Sequence, residues 1–114
     1  MKHKTAELEG ALLDAAVAKI EGMPYIVMAG LLTVEMHNLK LFAPSSDWAH
    51  GGTIIERERI ALESYPVGAA TPVWGATVWP DGADDDSCEI GPTPLIAAMR
   101  AFVASKMGDE VELP

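Results

Sequence analysis

Residues 91–114 read GPTPLIAAMRAFVASKMGDEVELP and predict a helix whose beginning and end are both marked. Thr93 belongs to the residue types that accept hydrogen bonds from the first free N–H groups of a helix. Pro94 then takes the first helical position, where its missing N–H costs nothing. At the other end, Lys106 complements the negative pole of the helix, and Gly108 takes the left-handed exit conformation.

This helix is expected to be largely enclosed by the rest of the fold, because Arg100 is the one charged residue between Pro94 and Ser105. Large apolar side chains follow the helical period, and alanines keep the other faces small enough for neighbours to approach closely. The large residues are Leu95, Met99, Phe102, Val103 and Met107, and the alanines are Ala97, Ala98, Ala101 and Ala104. The sequence thus predicts that this helix belongs to the core.

Arg100 needs either a partner or a route to solvent. In one interpretation, it forms a buried pair with Glu56 or Glu58 and ties the last helix to the middle of the chain. In the other, its aliphatic stem covers the core while the guanidinium reaches water. Both interpretations stay open at this point, and Arg100 is a candidate interaction residue.

A second helix is predicted at residues 11–21, with its beginning near residue 9 and its end at Gly22. One apolar stripe runs along it, formed by Leu12, Leu13, Ala16, Val17 and Ile20. Asp14 lies off this stripe.

Between the two helices the pattern changes to short apolar runs that are typical of strands. The predicted strands are residues 25–28, 31–36 and 39–43, which would form a small antiparallel meander, and residues 60–65 and 73–79. Residues 81–91 hold four Asp, one Glu and two Gly, so a mobile connection is predicted there.

Together these elements predict a single α+β domain over residues 1–114, in which a small antiparallel sheet packs against two main helices. A short helical turn is predicted around residues 53–58. At 114 residues the chain is long enough to bury a core without the support of a metal or a disulfide.

Eight Lys and Arg residues against 17 Asp and Glu residues give a formal charge of -9 at pH 7. This charge repels the phosphate backbone that supplies most nonspecific affinity for nucleic acid, so direct nucleic-acid binding is not expected. It suits a basic protein partner, or an acidic mimic that occupies a nucleic-acid-binding cleft. Solubility alone is the favoured explanation of this charge.

Cysteine usage and the apolar runs favour a cytoplasmic protein. Cys88 is the single cysteine, which excludes an internal disulfide and fits a reducing compartment. The longest apolar stretch, residues 23–34, has 12 residues and is well short of the roughly 20 that a spanning helix needs. Glu7 and Glu9 precede any apolar core, so the first residues do not have the pattern of a secretory signal. No membrane partner is expected.

The segment 47–58 is the strongest candidate for a functional site, because it gathers a carboxylate, an imidazole and glycines before a charged pair. In a functional interpretation, Asp47 or Glu56 accepts a proton that His50 donates or shuttles. Arg57 then holds an anionic group with two hydrogen bonds.

A structural interpretation uses the same segment without a substrate. Asp47 closes a turn or caps a short helix, Trp48 enters the core with the two isoleucines that follow, and the glycines supply backbone freedom. Arg57 or Arg59 is expected to pair with acidic neighbours, and His50 to stay partly open to solvent. The structural interpretation is favoured, since no nucleophile, metal spacing or phosphate motif accompanies the segment.

No cofactor or metal site is predicted. His3, His37 and His50 lack the spacing of a zinc site, and the acidic run at residues 81–86 does not match a calcium loop. The glycine motifs of nucleotide-binding proteins and hydrolases are also missing from the sequence. The sequence therefore identifies no catalytic residue.

Three blocks of the sequence resemble the NinX-like family of proteins encoded by tailed bacteriophages and prophages. They are TAELEGALLDAAVAKIEG (5–22), APSSDWAHGGTIIERERI (43–60) and GPTPLIAAMRAFVASKMGDEVELP (91–114). The resemblance implies a phage or prophage gene product in the bacterial cytoplasm, and it carries over no catalytic residue. Ala15, Thr53 and Arg59 stand where that family is expected to have an aromatic residue, Pro and Gly.

Two hypotheses about function remain. In the leading one, the protein is a non-enzymatic accessory module that binds a host or phage protein, with a homo-oligomer also compatible. In the alternative, a small-molecule-binding or hydrolytic site forms around Asp47, His50, Glu56 and Arg57. The candidate interaction residues are Asp47, Trp48, His50, Glu56, Arg57 and Arg100.

Overall fold

The computed structural model describes residues 2–22, 25–28, 31–34, 43–65, 73–78 and 87–113. Within these ranges the chain forms three α-helices and seven β-strands. The helices are α1 (Gly10–Glu21), α2 (Trp48–Glu58) and α3 (Pro94–Met107). The strands are β1 (Lys2–Lys4), β2 (Tyr25–Met28), β3 (Leu31–Val34), β4 (Ala61–Tyr65), β5 (Val73–Val78), β6 (Ser87–Gly91) and β7 (Glu110–Glu112). The predicted α+β class is confirmed, with a third helix beside the two main ones.

The helix α3 forms where the sequence predicts it and is enclosed by the fold. Thr93 caps it, since its Oγ1 accepts a hydrogen bond from the backbone N–H of Ile96 at 3.1 Å. Gly108 ends it as predicted, but not in the predicted left-handed conformation, because its φ of 82° is combined with a ψ of -158°, a region that is essentially restricted to glycine. Residues 97–103 are all buried. Within the described ranges, no helix combines the length and the apolar composition that crossing a membrane requires.

A three-stranded antiparallel sheet with the order β4-β5-β6 packs on α3. The core-facing residues of β5 follow the predicted two-residue period: Ala76 and Val78 are buried, and Trp74 packs against the same core. Gly91 brings β6 close to α3, because a Cβ at this position would lie 2.8 Å from the backbone nitrogen of Ala97. The close approach of strand and helix explains the glycine at this position.

The prediction of a mobile connection over residues 81–91 is wrong for its second part. Residues 87–91 form β6, which pairs with β5 so that Gly75 lies opposite Ile90 and Thr77 opposite Cys88. The polar composition of this segment is overridden by its pairing with a neighbouring strand, because strand formation depends strongly on tertiary context. Residues 81–86 lie outside the described residues.

The helix α1 agrees closely with its prediction and ends at Gly22, which has a left-handed φ of 73°. Its residues 13–18 are all buried, including Asp14, which the sequence placed off the apolar stripe. Three of these six residues are alanines, so neighbours approach the helix closely from more than one side. β2 and β3 form the first hairpin of the predicted meander. The remainder of that meander, residues 35–42, lies outside the described residues.

The first and last strands pair with each other, a contact that the sequence does not predict. β1 and β7 are antiparallel, with His3 opposite Val111. Thr5 reinforces this pairing, because its Oγ1 donates to the carbonyl oxygen of Gly108 at 2.7 Å and its N–H donates to that of Asp109 at 2.8 Å. These bonds hold the exit of α3 against the segment that leads into α1.

The helix α2 is longer than the short turn predicted at residues 53–58, and it begins at Trp48. Asp47 caps it, since its Oδ1 accepts a hydrogen bond from the backbone N–H of Ala49 at 2.8 Å. Arg59 ends it in the left-handed region, with a φ of 54°. The cap therefore begins the helix earlier than the apolar pattern alone indicates.

Close packing of α2 depends on Gly51. A Cβ at this position would overlap the backbone oxygen of Pro44 and lie 2.6 Å from Cδ2 of Leu95. Glycine thus lets α2 approach both the preceding turn and the beginning of α3. This contact positions the first turn of α2, where three of the candidate residues lie.

Candidate functional site

The segment from Ala43 to His50 is folded by local hydrogen bonds. The carbonyl oxygen of Ala43 accepts from the N–H groups of Ser46 and Asp47, at 3.1 and 2.7 Å, and closes a turn. The N–H of Ala43 donates in turn to Nδ1 of His50 at 3.0 Å. Asp47 and His50 therefore both stabilise the turn and the helix that follows it.

The hydrogen bond from Ala43 settles which ring nitrogen of His50 lacks a proton. Because Nδ1 accepts this bond, it carries no proton of its own. Oδ2 of Asp47 lies 3.7 Å from the same nitrogen, which is beyond hydrogen-bond distance. The His50 side chain is 20% exposed, so it is partly open to solvent, as predicted. No direct proton transfer joins Asp47 to His50 in this arrangement.

A buried carboxylate, Asp14, supports this segment from α1. Its Oδ1 accepts a hydrogen bond from the backbone N–H of Ser45 at 2.8 Å. Burial raises the pKa of Asp14 above its ordinary value of 3.8, while the hydrogen bonds from Ser45 act against this rise. The sequence analysis missed this residue. The sequence does contain a signal for its burial. Asp14 lies among alanines and other apolar residues, so α1 has no wide polar face that would turn Asp14 toward solvent.

Arg57 lies near the other end of α2 and is held by two carboxylates. Its Nη2 pairs with Glu21 of α1, and its Nε donates to Oε2 of Glu58 at 2.9 Å. The guanidinium also lies 5.8 Å from the centre of the Phe102 ring on α3. The hydrogen bonds to Glu21 and Glu58 raise the pKa of Arg57, and the bond from Arg57 lowers the pKa of Glu58. Arg57 thus joins three helices, and its predicted pairing with acidic neighbours is confirmed.

The candidate interaction residues do not converge on one place. Asp47 and Trp48 lie at the beginning of α2, whereas Arg57 follows nine residues after Trp48, about 13 Å further along the helix axis. Glu56 is exposed, and Arg100 belongs to α3. A proton acceptor at Asp47 and an anion-holding group at Arg57 are therefore well separated.

Neither interpretation of Arg100 is correct. The residue is only 9% exposed, and its guanidinium contacts main-chain carbonyl groups in place of Glu56, Glu58 or water. Nε donates to the carbonyl oxygen of Leu8 at 2.7 Å, and Nη1 donates to that of Ile90 at 2.9 Å. Two main-chain carbonyl groups thus accept the hydrogen bonds of the guanidinium, in the role predicted for a glutamate carboxylate.

Trp48 is exposed, so the prediction that it enters the core is wrong. Its exposed fraction is 54%, whereas Ile54, six residues later on the same helix, is 3% exposed and completes the core. Side chains six positions apart point in different directions from the helix axis, so Ile54 can face the core while Trp48 faces outward.

A cavity of about 310 Å³ lies beside this ring, and we refer to it as the Trp48 cavity. Ser45, Ser46 and Trp48 form part of its wall, and residues 93–96 form the rest. The beginnings of α2 and α3 therefore meet at this cavity. None of the described residues that line it carries a charged side chain.

A second cavity, of about 380 Å³, lies between β1 and the beginning of α1. Lys2, His3, Lys4 and Glu7 contribute to its wall. Nε2 of His3 is buried and, among the described residues, has no hydrogen-bond partner. Because this atom is shielded from solvent, a molecule in the cavity would not reach it without a rearrangement. The Trp48 cavity is therefore the better candidate site.

Within the described ranges, no group of three or more His, Cys, Asp and Glu residues is arranged to hold a metal ion. Cys88 is exposed on β6. His37 and the acidic run at residues 81–86 lie outside the described residues.

The family model described as "Bacteriophage P22, NinX" matches residues 4–106 of the chain. The match spans nearly the whole chain and includes α1, α2, the three-stranded sheet and all of α3 except its last residue. No curated protein matches the chain.

Proposed function

This chain belongs to the bacteriophage P22 NinX family, and on that premise we propose that it is a non-enzymatic accessory module that binds a host or phage protein. It acts in the cytoplasm of the bacterial host. Its contact surface is the exposed ring of Trp48 together with the Trp48 cavity. The observation that carries this proposal is the exposure of a large indole ring directly beside a cavity whose described lining residues carry no charge.

An exposed tryptophan beside a cavity has the character of an interface anchor. Trp48 is 54% exposed, and burying half of an aromatic side chain removes roughly 100 Å² from water, which contributes about 2.5 kcal/mol. Tryptophan is also enriched among the few residues that dominate the energy of protein interfaces. The ring therefore has more to contribute to a complex than to the stability of the free protein.

The charge of the molecule supports a protein partner over nucleic acid. The formal charge is -9, and two of the lysines contact acceptor groups of the same chain. Lys106 lies 3.5 Å from a carboxylate oxygen of Glu58, which also binds Arg57. Lys19 donates to the backbone carbonyl oxygen of Glu112. The net negative field would steer a basic protein toward this molecule and repel a phosphate backbone.

The alternative, a small-molecule-binding or hydrolytic site around Asp47, His50, Glu56 and Arg57, receives less support from the geometry. Asp47 caps α2, and Nδ1 of His50 accepts a backbone N–H. General acid–base catalysis requires the reacting groups to lie within hydrogen-bond reach of one substrate. Asp47 and Arg57 lie at opposite ends of α2, and Arg57 is already paired.

Affinity capture from phage-infected host cells tests the proposal. The bait is the full chain as wild type, as Trp48→Ala and as Ile90→Ser. Ile90 is the matched control, because it is 56% exposed, comparable with Trp48, and does not line the Trp48 cavity. We expect the wild type and Ile90→Ser to recover the same protein, and Trp48→Ala to lose it while its thermal melt stays close to that of the wild type.

Equal recovery of that protein by Trp48→Ala would contradict the assignment of the contact surface. Turnover of a small substrate by the purified wild type, lost in both Asp47→Asn and Arg57→Gln, would favour the hydrolytic alternative.

A further inference from the structure

We propose that the Trp48 cavity binds an uncharged, extended segment of the partner that contains proline, with its main-chain carbonyl groups accepting hydrogen bonds from the cavity wall. This inference rests on the proposed function, because it names the chemistry of the partner at the same site. Three properties of the wall lead to it: its lack of charge, its hydrogen-bond donors and its flat apolar surfaces.

The absence of charged side chains from the described wall selects the charge of the occupant. A carboxylate or phosphate group would meet neither Lys nor Arg in the cavity, and the net charge of -9 would repel it. A Lys or Arg side chain would be attracted by the whole molecule but would find no carboxylate among the lining residues. Charge complementarity therefore favours an uncharged segment inside the cavity, with any basic residues of the partner outside it.

The wall offers hydrogen-bond donors to an occupant. Oγ1 of Thr93 already accepts the N–H of Ile96, so its own O–H proton remains to be donated. The indole of Trp48 is a donor only. The hydroxyl of Ser45 is engaged with Asp14. The matching occupant presents acceptors, and main-chain carbonyl groups are the uncharged acceptors that every peptide carries.

Proline makes such a segment acceptor-rich. A proline residue keeps its carbonyl group but has no backbone N–H, so it brings an acceptor without a donor that needs a partner of its own. Proline-rich segments also adopt the extended polyproline II helix, which docks on aromatic-lined grooves. The ring of Trp48 and the ring of Pro94 supply flat apolar surfaces of this kind.

The size of the cavity agrees with a short anchoring segment. Its volume of about 310 Å³ is at the lower end of the range for ligand pockets, which is about 300–1,000 Å³. A cavity of this size suits one or two side chains of an extended peptide better than a bulky cofactor. The exposed part of the Trp48 ring would then cover the adjoining residues of the segment.

An NMR titration of the ¹⁵N-labelled full chain tests this inference. The probe is a ten-residue polyproline peptide with blocked, neutral ends. The matched control peptide has ten alternating Gly and Ser residues with the same blocked ends. The indole N–H signal of Trp48 is identified by its loss in Trp48→Phe, and that of Trp74, which packs against the core, is identified in the same way and serves as the internal reference.

We expect the Trp48 indole signal to shift in a saturable manner with polyproline, and the Trp74 signal to stay in place. The Gly-Ser peptide should leave both signals unchanged. Trp48→Ala should weaken binding by about thirtyfold, as for a residue that anchors an interface, while Trp48→Phe retains part of the affinity and Ile90→Ser retains all of it.

The inference is overturned if polyproline leaves the Trp48 signal unchanged, if the Gly-Ser peptide binds equally well, or if Trp48→Ala binds polyproline as the wild type does. Failure here is distinct from failure of the proposed function. If Trp48→Ala loses the captured partner while polyproline does not bind, the interaction module stands and the proline chemistry is wrong.

Discussion

The guanidinium of Arg100 donates a hydrogen bond from Nε to the main-chain carbonyl oxygen of Leu8, at 2.7 Å and across 92 positions of the sequence. Nη1 of the same side chain reaches the carbonyl oxygen of Ile90 at 2.9 Å. One buried side chain on α3 therefore joins the segment before α1 to the edge strand β6.

We expect Arg100→Met to lower the free energy of unfolding by roughly 2–5 kcal/mol, because leaving the buried carbonyl of Leu8 without its donor costs about 1–3 kcal/mol and losing the donor to the part-buried carbonyl of Ile90 adds a smaller cost. Arg100→Lys should lose less, since its single amine keeps one of the two bonds. Denaturant melts provide the measurement. Lys4→Met, at an exposed position of β1, is the control and should stay within about 0.5 kcal/mol of the wild type. Arg100→Met at the control level would show that these bonds contribute nothing to stability.

Phe102 is 1% exposed in the centre of α3, where it also lies under the guanidinium of Arg57. Phe102→Ala should lower the free energy of unfolding by about 3–5 kcal/mol, from the lost burial of the ring and the cavity left behind. Glu56→Ala, at an exposed position of α2, should change it by less than about 0.5 kcal/mol. A loss below about 1 kcal/mol with an unchanged m-value would mean that α3 is peripheral.

Gly51 and Gly52 are adjacent on α2 but have different surroundings. A Cβ at Gly51 would overlap Pro44, whereas a Cβ at Gly52 would meet only Cε3 of Trp48, at an ordinary 3.8 Å. Gly51→Ala should therefore destabilise the protein by about 1–3 kcal/mol, through overpacking. Gly52→Ala should be neutral or stabilising by up to about 1 kcal/mol, because alanine favours the helix. Thermal melts of the two variants make the comparison, and equal effects would be inconsistent with the close packing of α2.

The pKa of Asp14 leads to a pH-dependent difference between the wild type and Asp14→Asn. Burial raises this pKa in the folded chain, so the folded state holds the proton more tightly than the unfolded state does. The contribution of Asp14 to stability is therefore complete below its ordinary pKa of 3.8 and is lost as the pH rises through the folded-state value. We expect the wild type to gain stability relative to Asp14→Asn as the pH is lowered from about 7 to about 3.

Thermal melts across this pH range check the Asp14 prediction, and Glu58→Gln provides a control of opposite sign. The hydrogen bond from Arg57 lowers the pKa of Glu58, so the contribution of Glu58 is present above its ordinary pKa of 4.5 and is lost as the pH falls through the folded-state value. The wild type should therefore lose stability relative to Glu58→Gln on acidification. A pH-independent gap for Asp14→Asn would rule out the raised pKa.

The negative charge predicts that the isolated protein does not bind duplex DNA. At near-physiological salt, a mobility-shift assay with micromolar protein should show no complex, because phosphate contacts and counterion release supply most of such affinity. A shifted band that weakens with added salt would contradict this expectation.

The two long predicted helices could be derived from the sequence because their signals are local. Thr93 and Gly108 mark the ends of α3 within a few residues of the backbone groups they serve, and Gly22 does the same for α1. The cap formed by Asp47 was among the expected local interactions for the same reason. The sequence predicts a short helical turn at residues 53–58 and a buried Trp48, whereas α2 begins at Trp48 and this side chain is exposed.

Long-range contacts account for what the sequence could not specify. The burial of Asp14 depends on a turn 31 positions away, and the partners of Arg100 are carbonyl groups, which every residue carries and no sequence pattern distinguishes. The pairing of β1 with β7 joins segments from opposite ends of the chain. Trp48 is a candidate interaction residue from the sequence alone, but the tertiary structure decided that it is exposed beside a cavity, because exposure depends on what packs nearby and not on the residue type.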